Sequence, residues 1–98
     1  MKPYILHSQA AEEYAEAISY HARINTELGE RFVAEMDELI GEVCRDPERY
    51  REVQVGVRRH FSDVFPYAVF YINQLNRVWI VAVMHMSRRP DYWRSRLN

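Results

Sequence analysis

Cysteine is all but missing. Cys44 stands alone in 98 residues, which excludes an internal disulfide and any zinc centre built on cysteines. Its place beside Val43 on a helical stretch suits a small core hydrophobe, not a nucleophile. No serine stands in a nucleophile elbow either. Glycine and proline number 3 and 4, so there is no flexible or low-complexity tract, and the chain reads as one globular domain, 1–98. No apolar run approaches the ~18 residues of a membrane span. The opening Met1-Lys2-Pro3-Tyr4 lacks the form of a secretory leader, so the expected location is the cytoplasm. His7, His21, His60 and His85 fall into no metal-ligand spacing. His7 and His85 each end a strand, and as possible neighbours they are the one conceivable pair. No metal and no cofactor are expected.

Lysine is nearly absent as well. Lys2 is the single one, and every other base is arginine, whose planar fork suits carboxylates and phosphates. The formal net charge of −1 hides an asymmetry. Residues 1–52 hold twelve acids against six bases, whereas residues 53–98 hold seven arginines against Asp63 and Asp91. Arg88, Arg89, Arg94 and Arg96 follow His85 closely, interleaved with Tyr92 and Trp93.

What is abundant is apolar patterning. Tyr4-Ile5-Leu6-His7 reads as a short strand. Ser8 is the expected N-cap of a helix carrying Ala11, Tyr14, Ala15, Ile18 and Ala22 at helical spacing, with Glu12 and Glu13 near its positive end. The pattern weakens near Asn25, before Gly29. A second helix sets Phe32, Met36, Leu39, Ile40 and Val43 on one stripe, with Glu30, Asp37, Glu38, Glu42 and Arg45 opposite, and stops at Pro47. Residues 9–46 are thus an αα-hairpin with an acidic, solvated outer face.

Beyond a loop at 46–50 the period changes to two. Val55, Val57, Arg59 and Phe61 suggest a strand, Tyr67–Ile72 a second, and Arg77–His85 a third, the last two joined by a turn at Asn73–Asn76. The fold class is therefore α+β: an N-terminal strand, an αα-hairpin, then an antiparallel three-stranded meander with a short C-terminal tail. Four strands are expected in all. In Arg77–His85 both faces are apolar, which requires cover on both sides. The hairpin covers one face; the tail or a second chain must cover the other.

Three chemistries fit the basic half. Ribonuclease chemistry needs a base, an acid and a cation, for which His60, His85, Tyr67 and Tyr92 supply proton carriers and Arg58, Arg59, Arg88 and Arg89 the charge. Single-stranded nucleic acid fits Tyr92, Trp93, Arg94 and Arg96, although a pI near 6.4 opposes it. Partner binding fits best, since Trp, Tyr and Arg dominate interface hot spots.

Taken together, YILHSQAAEEYAEAISYHA, the LGERFVAEMDELI helix ending at Asp46-Pro47, the GVRRHFSDVFPYAVFY strand pair and the AVMHMSRRPDYW ending resemble the RelE/ParE superfamily of type II toxins. The resemblance runs over essentially the whole chain. It implies a toxin held inactive by a cognate antitoxin whose C-terminal segment wraps it. RelE-like members cleave mRNA in the ribosome and carry an arginine after the tyrosine that Tyr67 matches; here Ala68 stands there. The lysines of that nuclease set are also missing, with Arg58 and Arg59 as stand-ins and Arg88, Arg89 and Tyr92 as the late members. The chain is accordingly closer to ParE-like (plasmid stabilisation) members, which poison DNA gyrase. The alternatives are an mRNA interferase and a non-toxic interaction module. The expected contact surface for target or antitoxin is Arg58, Arg59, Trp79, Val81, His85, Arg88, Arg89, Tyr92 and Trp93.

Overall fold

One residue, Asn25, divides the helical stretch. It closes helix α1 (Ser8–Ile24) and caps helix α2 (Thr26–Arg45), its side-chain oxygen accepting from the Leu28 N–H at 2.7 Å. Gly29 is therefore no break. It lies inside α2 where the helices cross, and a Cβ there would meet the Ala22 Cβ at 2.8 Å and its Cα at 2.9 Å. At the other end His7, not Ser8, caps α1, its Nδ1 accepting from the Gln9 N–H. The buried stripe of α1 is Ala10, Ala17 and His21, with Tyr14 and Ile18 partly covered, so it is rotated from the expected one. Ala11, Ala15 and Ala22 are exposed. His21 had no place in the expected stripe, yet it stacks on Phe32 at 4.2 Å and bonds the Ala17 carbonyl at 2.7 Å.

The structure, a computed structural model, describes residues 1–97. Its sheet has five strands: β1 (Tyr4–Leu6), β2 (Glu52–Gln54), β3 (Val57–Phe61), β4 (Tyr67–Asn73) and β5 (Val78–His85), in the order β1-β5-β4-β3-β2. This corrects the expectation of four strands. The extra one is β2, which folds back on β3 through a tight turn at Val55-Gly56. Gly56 takes a φ of +81°, a left-handed conformation that a side chain disfavours, and Val55 is 94% exposed at the tip. The sheet is mixed, because β1 lies parallel to β5 while all other pairs are antiparallel.

Both helices pack on one face of the sheet, over Val69, Tyr71, Val78, Ile80 and Val83. Three acids of the helices are drawn into contacts, among them Glu42 of the face expected in solvent. Glu42 meets His60 Nε2 at 2.9 Å, Glu35 accepts from Ser62 Oγ at 2.5 Å, and Glu13 is treated below. Ser62 in turn accepts from the Val64 and Phe65 N–H groups, which shapes the β3–β4 loop. Cys44 is buried in this core, where desolvation pushes its thiol up.

The opposite face carries Val57, Ala68, Phe70, Val81, Ala82 and Met84. Its cover is the tail. Trp93, 2% exposed, rests on Phe70 with ring centroids 5.1 Å apart, and Tyr92 and Leu97 flank it. A one-turn 3-10 helix, Arg94–Leu97, holds these side chains down. The continuous apolarity of β5 is thus satisfied within one chain.

Replacing Gly29 by alanine is expected to lower stability by about 1–3 kcal/mol, the range for overpacking a tight contact. This runs against the better helix propensity of alanine. Urea unfolding of the variant checks it; an unchanged midpoint would show that the helices can part without cost.

Candidate functional site

The tail is anchored at the edge of β5. Strand β1 ends opposite Ile80, so from Val81 onward β5 has no strand beside it on that edge. A bulge sits at the same point: Phe70 pairs with Ala82 and Tyr71 with Ile80, which leaves Val81 as an extra residue. The Val81 carbonyl and Val83 N–H need partners from outside the ladder. Arg96 donates to the Val81 carbonyl at 3.0 Å, and the Glu13 carboxylate accepts from the Val83 N–H at 3.1 Å. Glu13 and Arg96 then bind each other through two bonds of 2.9 and 2.8 Å, and the Tyr92 hydroxyl donates to Glu13 at 2.5 Å. The paired side chains are 7% and 14% exposed for Arg96 and Glu13.

Burial on its own raises the Glu13 carboxyl. The hydrogen bonds from Arg96, Tyr92 and the Val83 N–H outweigh it, so the group titrates below its ordinary range. The Glu13 hydrogen bonds raise Arg96, and burial followed by the same carboxylate holds Tyr92 well above its usual value. Tyr92 therefore keeps its proton. The guanidinium carbons of Arg88 and Arg96 lie 4.1 and 4.9 Å from its ring centroid.

The arginines expected to act together are separated by the pleat of β3. Arg58 pairs across to Tyr71 on the helix side, where it donates to the carbonyls of Glu48 and Tyr50 at 3.0 and 2.8 Å and lies 3.6 Å from Glu52. His60 is on that side too, stacked on Tyr50 at 3.7 Å. Arg59 pairs across to Phe70 and faces the tail. Arg59, Arg88, Arg89, Arg94 and Trp93 line one cleft of about 530 Å³, with Phe70 and Met84 among its apolar walls. Two donors of its lining residues, Arg59 Nε and Trp93 Nε1, are closed to solvent and find no hydrogen-bond partner among the described residues. Each such orphan costs about 1–3 kcal/mol. Asp91 is the acid of this cleft, and it is engaged by Arg89 at 3.0 Å and Arg94 at 3.8 Å. Arg94 also donates to Gln54 Oε1 at 3.0 Å, which ties the tail to β2.

The remaining expected residues scatter. Val81 has no exposed surface, because the tail covers it. Trp79 lies half-buried at the far end of the same face, 5.9 Å from the His7 ring. His85 lines a second cleft of about 400 Å³ with Tyr67, Arg23, Glu16 and Arg88, and its Nδ1 accepts from the Ser87 N–H. His7 and His85 are not brought together. The His7 N–H bonds the Ile80 carbonyl, and His85 lies five residues further along β5, beyond the bulge. Among the described residues no three His, Cys, Asp or Glu side chains gather as a metal site. Ala68 is buried on the tail side, with no polar group to offer.

Glu13 is the residue that sequence reasoning missed. It stands three residues after Ala10 and four before Ala17, on the border of the buried stripe of α1. An acid at that position, in a chain with an arginine-rich end, was the available signal.

A protein-family model described as the ParE toxin of type II toxin-antitoxin system, parDE, matches residues 4–90. No curated protein matches the chain. Tyr92, Trp93 and Arg96, which seal the second face of the sheet, lie beyond the matched stretch.

Because the folded Glu13 titrates below its unfolded value, its stabilisation is complete above the unfolded pKa. It is lost as pH falls through the folded one. Glu13→Gln is expected to cost about 3–5 kcal/mol at neutral pH, since it leaves Arg96 buried without its counter-charge. The variant should also lose part of the acid dependence below about pH 4. Thermal melts of both proteins between pH 3 and 7 check this; parallel pH profiles would show that Glu13 is not the titrating group.

Proposed function

The chain belongs to the ParE toxin family of type II toxin–antitoxin systems, and from that premise we propose that its free form poisons DNA gyrase by binding, with no bond-making chemistry of its own. The observation that carries this reading is the division of the basic residues. Acid–base cleavage of RNA asks for a proton carrier and cations around one phosphate. Arg58 is held on the helix side of the sheet by backbone carbonyls, while Arg59 faces the tail. The Tyr92 phenol is committed to Glu13, and Ala68 supplies no donor. What stays exposed is a contact surface: Arg88, Arg89 and Arg94 around the cleft, with the partly exposed His85 and Trp79 to either side.

The cognate antitoxin is the second partner. Its C-terminal segment covers this surface of the toxin, with acids on the rim arginines and apolar side chains near Trp79. Its action and its neutralisation both belong in the cytoplasm, where no cofactor is called for.

Purified toxin with gyrase, supercoiled DNA and ATP, run beside a ribosomal translation assay, tests the reading. Linear DNA trapped on gyrase with intact mRNA is the expected result, and adding the neighbouring gene's product should abolish it. Cleaved mRNA with gyrase untouched would replace this reading with an mRNA interferase. No effect in either assay would leave a non-toxic interaction module.

A further inference from the structure

We propose that the cleft of about 400 Å³ between α1 and the end of β5 receives an acidic segment of a protein partner, with one carboxylate on Arg23 of the helix wall and another on Arg88 of the strand wall. The inference rests on the reading of the chain as a partner-bound toxin and carries its contact surface round the end of β5 to the helix side of the sheet.

The two walls come from separate parts of the chain. Glu16, Tyr20 and Arg23 recur at helical spacing along α1 and line one side. Tyr67 and His85, cross-strand partners on β4 and β5 with ring centroids 5.0 Å apart, line the other. Arg88 follows in the turn after β5, where its backbone N–H donates to the His85 carbonyl at 2.9 Å. Arg23 and Arg88 are exposed and His85 is partly so, which leaves all three open to a molecule arriving from solvent.

Each of these donors is steadied by a contact that does not use it up. Arg23 gives one N–H to Ser19 Oγ at 2.8 Å, one turn back along the helix. Arg88 holds its guanidinium carbon 4.1 Å from the Tyr92 ring centroid. His85 Nδ1 accepts from the Ser87 N–H at 3.0 Å, so the neutral ring carries its proton on Nε2, which has no partner among the described residues. Neither arginine meets a carboxylate among the described residues. Donors held in place beforehand lose less freedom when a ligand binds.

The charge of the lining favours a peptide over a nucleic acid. Glu13 is already neutralised by Arg96, but Glu16 stands exposed without a cation partner among the described residues. A nucleic-acid strand brings a negative charge with every nucleotide, which Glu16 repels. A peptide brings backbone N–H groups, from which Glu16 can accept. Arg88 also lines the tail-side cleft, so the two clefts meet at its side chain.

The test uses the full chain. The blocked peptide acetyl-Glu-Ser-Glu-Ser-amide is added at constant pH while the imidazole resonances are followed in a carbon-13 correlation spectrum. The His85 signals are expected to move and saturate, while His7 and His60, outside the cleft, stay in place. Arg23→Gln and Arg88→Gln should each weaken binding by about fivefold, the upper range for an exposed ion pair. The double variant should lose about twenty-fivefold, because pairs on separate walls add. Arg94→Gln, which changes only the tail-side cleft, should bind as wild type does, and melts confirm that each variant folds. An unmoved His85, equal binding of acetyl-Gln-Ser-Gln-Ser-amide, or an Arg94→Gln loss as large as that of Arg23→Gln would overturn the proposal. Tighter binding of inorganic phosphate or oligothymidylate would overturn it in favour of a phosphate site. The neighbouring gene's product separates the two levels of inference. If it binds wild type and the double variant equally, the toxin reading stands and the cleft proposal falls. If it binds neither while the peptide still moves His85, the cleft proposal stands and the partner reading falls.

Discussion

The Glu13 carboxylate joins three parts of the chain, helix α1, the edge of β5 and the C-terminal tail. It reaches the edge of β5 from α1 and accepts at once from the Val83 N–H, from Arg96 and from Tyr92. The constraint behind it is elementary. A strand edge interrupted by a bulge leaves backbone groups that must be paired, and a sheet that is apolar on both faces must be covered twice. One ion pair meets both demands, because Arg96 satisfies the Val81 carbonyl while it pins the tail across the second face. The burial of Trp93 on Phe70 follows from that anchor. Beside the anchor, the buried apolar contacts of Trp93 and the exposed bond of Arg94 to Gln54 also hold the tail down.

The same logic sorts the arginines. Arg58 and Arg96 are spent on the fold, one on loop carbonyls and one on a buried carboxylate. Arg88, Arg89 and Arg94 stay exposed around a cleft. Arg59 falls between these groups, with its Nε buried and without a hydrogen-bond partner among the described residues. A surface of this kind, with charged rims over apolar walls, suits recognition of another protein. That is the task a family of antitoxin-controlled toxins must perform.

Much of the architecture was legible before any coordinates. The stripe Phe32, Met36, Leu39, Ile40 and Val43 places α2 correctly, and the apolar run to His85 identifies β5 as a strand that needs cover on both faces. Other elements were not legible for local reasons. Strand β2 is three residues long and its sequence, Glu52-Val53-Gln54, has no apolar face to betray it. His7 displaces Ser8 as the cap through a ring nitrogen, a choice that either residue type permits. His21 reads as polar but lies within an aromatic cluster of Phe32, Phe65 and Tyr67. The bulge at Val81, which turns both Val81 and Ala82 to the tail side, leaves no mark in a run of apolar residues.

By itself, the sequence determined the class of the fold, the order of helices and main strands, and the family. The fold class and element order rest on periodicity and on residues close together in the chain, which local geometry reads directly, and the family rests on the resemblance of four stretches in order. Only the tertiary structure decided that the tail closes on its own sheet, that Glu13 is a buried partner and not a solvated acid, and that Arg58 and Arg59 part company. Each of these depends on which groups meet across some eighty residues of chain, or on which side of a pleat a residue falls. Strand register sets the second, since a shift of one residue exchanges the faces. Pairing and register are settled when the whole core packs, and no short window of sequence contains them.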